Sequence, residues 1–179
     1  DYDCTLSEVL YGGDSRYRLC QEVVLGLGGV AMLGALGMDS SVMQHHINEG
    51  HAALLTLGLM ERELDGRQAW EVNEADMGSV RSRCIFTTHT PVPAGHDKFE
   101  RPLVEGVLGE DRSALLTAVG GWDHDTLNMT LLALRLSHWA NGVAKRHQDV
   151  SREMFPTYDI HSVTNGVHTK TWVSADMEL

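Results

Sequence analysis

Histidine, asparagine and threonine recur in this chain just where short apolar runs end. Val42 to Ile47 leads into Asn48-Glu49-Gly50-His51, Arg83 to Phe86 into Thr87-Thr88-His89-Thr90-Pro91, and Ile160 to Thr164 into Asn165-Gly166. Side chains of these types donate to and accept from hydroxyl groups. In an open, mostly parallel α/β sheet, ligands bind in the crevice past the carboxyl ends of the strands. The pattern therefore predicts a site for a polar, hydroxyl-rich ligand on three strand ends, at Ile47, Phe86 and Val163, that open on one edge of the sheet.

Helix-like and strand-like segments alternate along the chain, as parallel sheets built from βα units require, so an α/β fold is expected. Leu19, Val23, Leu27 and Val30 recur at helical spacing and predict a helix over residues 16–36, with Gly37 as its terminator. Asn48 is expected to cap a helix from about His51 to Leu64, with Ala53, Leu54, Leu57 and Met60 as its apolar stripe. A polar helix is expected around Arg67 to Val80, and Pro91, Pro93 and Gly95 make residues 89–97 a loop. Residues 98–127 read as one short helix with loops, and Asn128 to Phe155 as two helices broken near Asn141-Gly142.

Composition narrows the function classes. The 179 residues are 42% apolar, which suits one domain with a sizeable core. With a formal net charge of −11 and no cluster of Lys and Arg, neither nucleic acid nor an anionic membrane surface is an expected partner. Cys4, Cys20 and Cys84 are odd in number and widely spaced, which points to free thiols in a reducing compartment. Val23 to Met38 is broken by five glycines and reads as too short and weak to span a bilayer, and the first residues lack a signal layout. A cytoplasmic location is the expectation.

Two motifs invite chemistry that their context argues against. Gly26-Leu27-Gly28-Gly29-Val30-Ala31 matches the dinucleotide fingerprint, with Glu49 roughly 20 residues on, but the fingerprint needs a buried strand before its first glycine. Here the preceding Arg16 to Glu22 is charged and helix-patterned, so Gly26, Gly28 and Gly29 are expected inside or beside a helix. Ten histidines raise the question of a metal, yet His45 and His46 would face opposite sides of a strand and no ligand spacing is present, so no metal is expected. There is no G-x-S-x-G elbow either.

The strings Leu10 to Asp14, Arg18 to Glu22, Asn48 to His51, Thr87 to Gly95, Asn128 to Thr130, Asn141 to Ala144, His147, Ser151 to Met154 and Thr164 to Val167 follow one another in the order and approximate spacing seen in α-glucan phosphorylases. The chain resembles the short bacterial form of that family, from Leu10 to Val173 and most weakly between His96 and Leu127. The resemblance implies a two-domain glycosyltransferase of the GT-B type with facing Rossmann-like halves. Residues 1–179 would be a single partial domain, the later part of the N-terminal half. It implies release of glucose 1-phosphate from α-1,4-glucans by inorganic phosphate, with pyridoxal 5′-phosphate as cofactor and a homodimeric parent. The lysine that anchors the cofactor would lie in the C-terminal half, outside this chain, and the chain alone would be inactive.

By the same resemblance His89 and Asn165 would be the catalytic contacts to the glucosyl unit, with Asp14, Glu49, His51 and Val143 as further substrate-binding residues. Tyr11, Gly12 and Gly13 would form a gating loop. Plainer roles stand beside these: a helix cap for Asn48, a turn for Asn165-Gly166 and a structural histidine at position 51. Two other functions share the frame, a nucleotide-sugar-dependent glycosyltransferase and a non-catalytic sugar-binding remnant.

Overall fold

The computed structural model describes residues 2–9 and 12–174. Asp14 opens the first helix, α1 (Ser15–Val23), its carboxylate accepting from the Tyr17 N–H at 2.8 Å. Such a cap satisfies one of the four N–H groups that a helix start leaves without a partner. One π-helical stretch, Val24–Gly28, joins α1 to α2 (Gly29–Ala35). Gly37, at φ +66°, then reverses the chain while its N–H and that of Met38 bond back to Gly34 and Leu33.

Strand β1 (His45–Asn48) follows, then a 3₁₀ turn at Gly50–Ala52, α3 (Leu54–Leu64), α4 (Glu74–Ser82) and β2 (Cys84–Thr88). Beyond the loop come β3 (Lys98–Glu100), α5 (Arg101–Leu108), α6 (Glu110–Ala118), β4 (Trp122–Asp123) and β5 (Thr126–Asn128). The chain closes with α7 (Met129–Arg135), β6 (Trp139–Gly142), α8 (Lys145–Met154), β7 (Ile160–Ser162) and the short α9 (Thr169–Trp172).

The main sheet has the order β1-β2-β6-β7, and every pair in it is parallel. Its register sets Asn48 beside Thr87, Thr88 beside Gly142, and Gly142 beside Ser162, so all four carboxyl ends lie on one edge. Ile47, Phe86 and Ile160 anchor the sheet in a core shared with Leu19, Leu54, Leu57, Met60, Leu132 and Leu136, all fully buried. Phe86 to Thr88 of β2 are buried in succession, as a strand covered on both faces must be.

The expected α/β class, the parallel sheet and the common edge are all present, as is the helix over residues 16–36, found at Ser15–Ala35. Gly26, Gly28 and Gly29 lie inside that helix. An added Cβ on Gly26 would lie 2.6 Å from the Leu55 nitrogen, so this glycine serves the close approach of α3. By length and composition the same 21-residue helix could cross a bilayer, contrary to the expectation from Val23 to Met38. One face of it packs into the fold, with Arg18 and Glu22 in an ion cluster and Gly26 and Leu27 buried, while Val24, Leu25 and Met32 are exposed.

Several local readings need correction. The break near Asn141-Gly142 is a whole strand, β6, inserted between α7 and α8. Residues 98–127 hold two helices and a small antiparallel sheet of order β3-β5-β4. Asn48 ends β1 and caps nothing, because the turn after it is capped by Glu49 and α3 begins at Leu54. The polar helix around residues 67–80 begins later, at Glu74, where Asn73 accepts from the N–H groups of Ala75 and Asp76.

Candidate functional site

Glu49 stands immediately after β1 with φ +64°, a left-handed conformation that a residue with a Cβ adopts at some cost. The twist turns its carboxylate across the edge of the sheet toward the end of β2. There Oε1 accepts from the Thr90 hydroxyl at 3.1 Å, the Thr88 hydroxyl at 3.3 Å and the His89 N–H. Gly50 follows because a Cβ at that position would press on Met129 at 3.1 Å and on the Thr130 hydroxyl at 3.3 Å.

A second link crosses the middle of the edge. His46 Nε2 lies 2.7 Å from the Thr87 hydroxyl, which donates at 3.0 Å to Oδ1 of the buried Asn141. A third link reaches the last strand: the Val163 N–H donates to the Gly142 carbonyl at 2.9 Å and the Asn165 N–H to the Val143 carbonyl at 3.0 Å. Val143 is in turn tied to α8, its N–H donating to Nδ1 of the buried His147 at 3.2 Å. The structure thus brings Glu49, His89, Val143 and Asn165 onto one edge, with the His89 and Asn165 side chains exposed on it.

His51 belongs to a neighbouring cluster that includes residues far away in sequence. Its Nδ1 lies 2.9 Å from Asp97 Oδ2 and 3.5 Å from Glu22 Oε1, while Arg18 Nη2 lies 2.8 Å from the same Asp97 oxygen and 3.4 Å from the same Glu22 oxygen. Hydrogen bonding to Asp97 and Glu22 raises His51 to about 9. Burial pushes the Glu22 carboxyl up to about 8, and burial opposes ionisation of Asp97 too, but its bonds to His51, Glu22 and Arg18 win and hold it at about 2. Nδ1 of His51 thus faces Asp97 at 2.9 Å and the Arg18 guanidinium at 3.1 Å, and the two basic side chains share the Asp97 carboxylate.

The three ligand-type atoms of Glu22, His51 and Asp97 lie within 4.8 Å of one another, a spacing that suits a metal. Arg18 Nη2 already occupies that position, 2.8 to 3.4 Å from all three, so the donor set holds a guanidinium. Nothing in the sequence joins Arg18 to a carboxylate 79 residues on; the one legible signal was an acid, Glu22, three residues after Leu19 on the buried stripe of α1. Beside the cluster, residues 6–9 and the helix form an open groove of about 580 Å³ lined by Leu6, Val9, Val24, Leu25 and Met32.

The remaining expected site residues lie near the amino end of α1. Asp14 is its cap and Gly13, at φ +79°, packs its backbone against the Tyr17 ring. Gly12 stands against Val9, and Tyr11 lies outside the described residues. Thr87, Thr88, Thr90 and Asn141 fell within the sequence strings already noted but had no assigned part; the structure gives each a bond that fixes a strand end.

Similarity to known proteins agrees with this geometry. No family model matches the chain. It is 37% identical to maltodextrin phosphorylase of Thermococcus litoralis, an alignment that covers 98% of the chain and 22% of that protein. It is 38% identical to glycogen phosphorylase of Mycobacterium tuberculosis, over 94% of the chain and 22% of the relative. With glycogen phosphorylase of Aquifex aeolicus the identity is 33%, over 96% of the chain and 26% of the relative. The chain thus spans about a quarter or less of the length of the curated relatives it matches, and it is, over nearly all of its own length, a homologue of one part of the maltodextrin and glycogen phosphorylases.

Proposed function

We propose that this chain is the later part of the N-terminal half of a two-domain α-glucan phosphorylase of the GT-B type. The parent would be a cytoplasmic, homodimeric hexosyltransferase that passes a terminal glucosyl unit of an α-1,4-glucan to inorganic phosphate and yields glucose 1-phosphate. The observation that carries this reading is the bonded edge of the sheet, where Glu49 gathers Thr88, His89 and Thr90 while Val143 holds Asn165. Separate strand ends tied together in this way form a rigid rim of donors and acceptors. A rim of that kind suits a glucosyl unit whose charge develops in the transition state, since preorganised dipoles need not reorient as the reaction proceeds.

His89 and Asn165 are the residues assigned to the sugar hydroxyls, Val143 to its apolar edge, and Glu49, His51 and Asp14 to the surrounding cleft. Tyr11, Gly12 and Gly13 are assigned to a loop over the entrance, which would exclude water that competes with phosphate. Pyridoxal 5′-phosphate is the cofactor of the proposed parent, but this chain does not fit as its anchor. Of its three lysines, Lys98 is exposed beside Asp123 and Lys145 is exposed at the start of α8, and nothing is described of the Lys170 side chain. The anchoring lysine is therefore assigned to the other half.

The test is phosphorolysis by the full-length protein. His89→Ala should lower kcat/KM by ~10²–10³ while cofactor absorbance is retained, because this residue is assigned to the sugar alone. Unchanged kinetics would sink the assignment of His89. Release of glucose 1-phosphate by the purified 179-residue chain on its own would sink the assignment of the chain as one part of a larger site.

A further inference from the structure

The loop that carries His89 is fastened at its two ends by carboxylates, at the start by Glu49 from the turn after β1 and at the finish by its own Asp97. At its start the Glu49 carboxylate takes the His89 N–H and the hydroxyls of Thr88 and Thr90. At its finish Asp97 is held by Arg18 at 2.8 Å and by His51 at 2.9 Å, two residues that belong to α1 and to the turn after β1. Between the two, Pro91 to Gly95 are exposed, and the 3₁₀ turn at Pro93–Gly95 is the one regular piece. Two prolines fix φ within this span but contribute no N–H to hold it down. The conformation of the strap therefore depends on its ends.

We propose that Asp97 is a positioning residue for His89, acting by fastening the far end of the loop to the Arg18 and His51 side chains. The proposal rests on the reading of His89 as a sugar contact and adds to it the residue that places that contact. This end has other holds: His96 Nδ1 lies 2.8 Å from the Thr130 hydroxyl, the Asp97 carbonyl accepts from the Met129 N–H at 3.2 Å, and β3 pairs with β5 from Lys98 onward. Those bonds fix residues 96 and 97 to α7, whereas the Asp97 carboxylate fixes them to the element that also presents Glu49. Loss of the carboxylate charge leaves residues 96 and 97 held to α7 but releases them from Arg18 and His51, and lowers the fraction of molecules with His89 in place. Apparent affinity falls with that fraction.

A double-mutant cycle in the full-length protein separates this role from a merely structural one. Asp97→Asn should lower kcat/KM for phosphorolysis about 10-fold, the effect of weakening one charge-assisted bond, and should do nothing further in a His89→Ala background. Asp97→Glu, which restores the charge, should recover part of the loss. An Asp97→Asn effect of the same size with and without His89 overturns the proposal, and so does an Asp97→Asn enzyme with wild-type kinetics. Where Asp97→Asn does not fold, Arg18→Lys takes its place in the same cycle with the same outcomes. Should the wild-type protein show no phosphorolysis, the proposed function fails first, and amide exchange decides the positioning question by itself. Faster exchange at residues 90, 92 and 94–96 in Asp97→Asn then supports the fastening, and unchanged exchange overturns it.

Discussion

Gly26 and Gly29 lie in one helix, three residues apart, yet substitution by alanine should move stability in opposite directions. At Gly26 an added Cβ would lie 2.6 Å from the Leu55 nitrogen and 2.9 Å from both the carbonyl carbon and the Cβ of Leu54. Ordinary contacts of this kind begin near 3.4 Å, so α3 would have to retreat by most of an ångström. Backbone atoms cannot swing aside, and Leu54 and Leu57 behind them are fully buried. Overpacking of this sort costs about 1–3 kcal/mol, against which the better helix propensity of alanine returns up to about 1 kcal/mol. The net expectation for Gly26→Ala is a loss of up to about 2 kcal/mol, or a melting point lower by as much as roughly 4–8 °C for a chain of this size. At Gly29 nothing lies within 4 Å of the added Cβ, so only the propensity gain remains. Gly29→Ala should melt about 2–4 °C higher. Thermal unfolding followed by circular dichroism reads both. Equal melting points for the two variants would refute the packing argument and reopen the glycines as something other than a helix contact.

Three further outcomes follow from the same structure. Stability should decline as the pH rises from about 7 to 9: Glu22 and His51 both have folded-state values above their ordinary ones, while His45 and His96, whose values burial lowers, act in the opposite sense only below about 6.5, so the folded chain binds more protons across that window, and Glu22→Gln should flatten the slope of Tm against pH. Burial raises the Cys84 thiol to about 12, so a thiol reagent at pH 8 should label Cys4, which is exposed, and leave Cys84 untouched until the chain unfolds. Thr87→Val should cost about 1–3 kcal/mol in denaturant unfolding, because it removes the donor to the buried Asn141 Oδ1; an unaltered midpoint would show that the relay across the edge carries no weight.

The parts of the fold that the sequence made legible are those where one local signal dominates. Apolar spacing marked the helix over Ser15–Ala35, and a shift from apolar to polar residues marked the ends of β1, β2 and β7. Strand β6 escaped notice because it is four residues long, lies between two helices and ends in Asn141-Gly142, a pair that reads as a turn. Its identity comes from pairing with β2 on one side and β7 on the other, which no local pattern encodes. The candidate site divides in the same way. His89 and Asn165 stand at strand ends visible in the sequence, whereas the fastening of Asp97 by Arg18 joins residues that meet only after α1 has packed beside the sheet edge. Asn48 shows the limit of a local rule: a good capping residue in a favourable place was claimed instead by the ladder of β1, and Glu49 took the capping role.

The left-handed turn at Glu49 sets two demands against each other at one position. Backbone strain there favours glycine, which adopts φ +64° without penalty, while the three donors gathered by the carboxylate require an acid. A library screened for thermal resistance alone would enrich glycine at position 49 to the extent that relief of the strained backbone outweighs the three lost bonds, and such winners would release the strap that carries His89. A library screened for turnover would keep the acid and accept the strained backbone. The frequencies recovered at this single codon from the two screens would therefore diverge, and the size of the divergence would measure how much durability the molecule gives up for the placement of one loop.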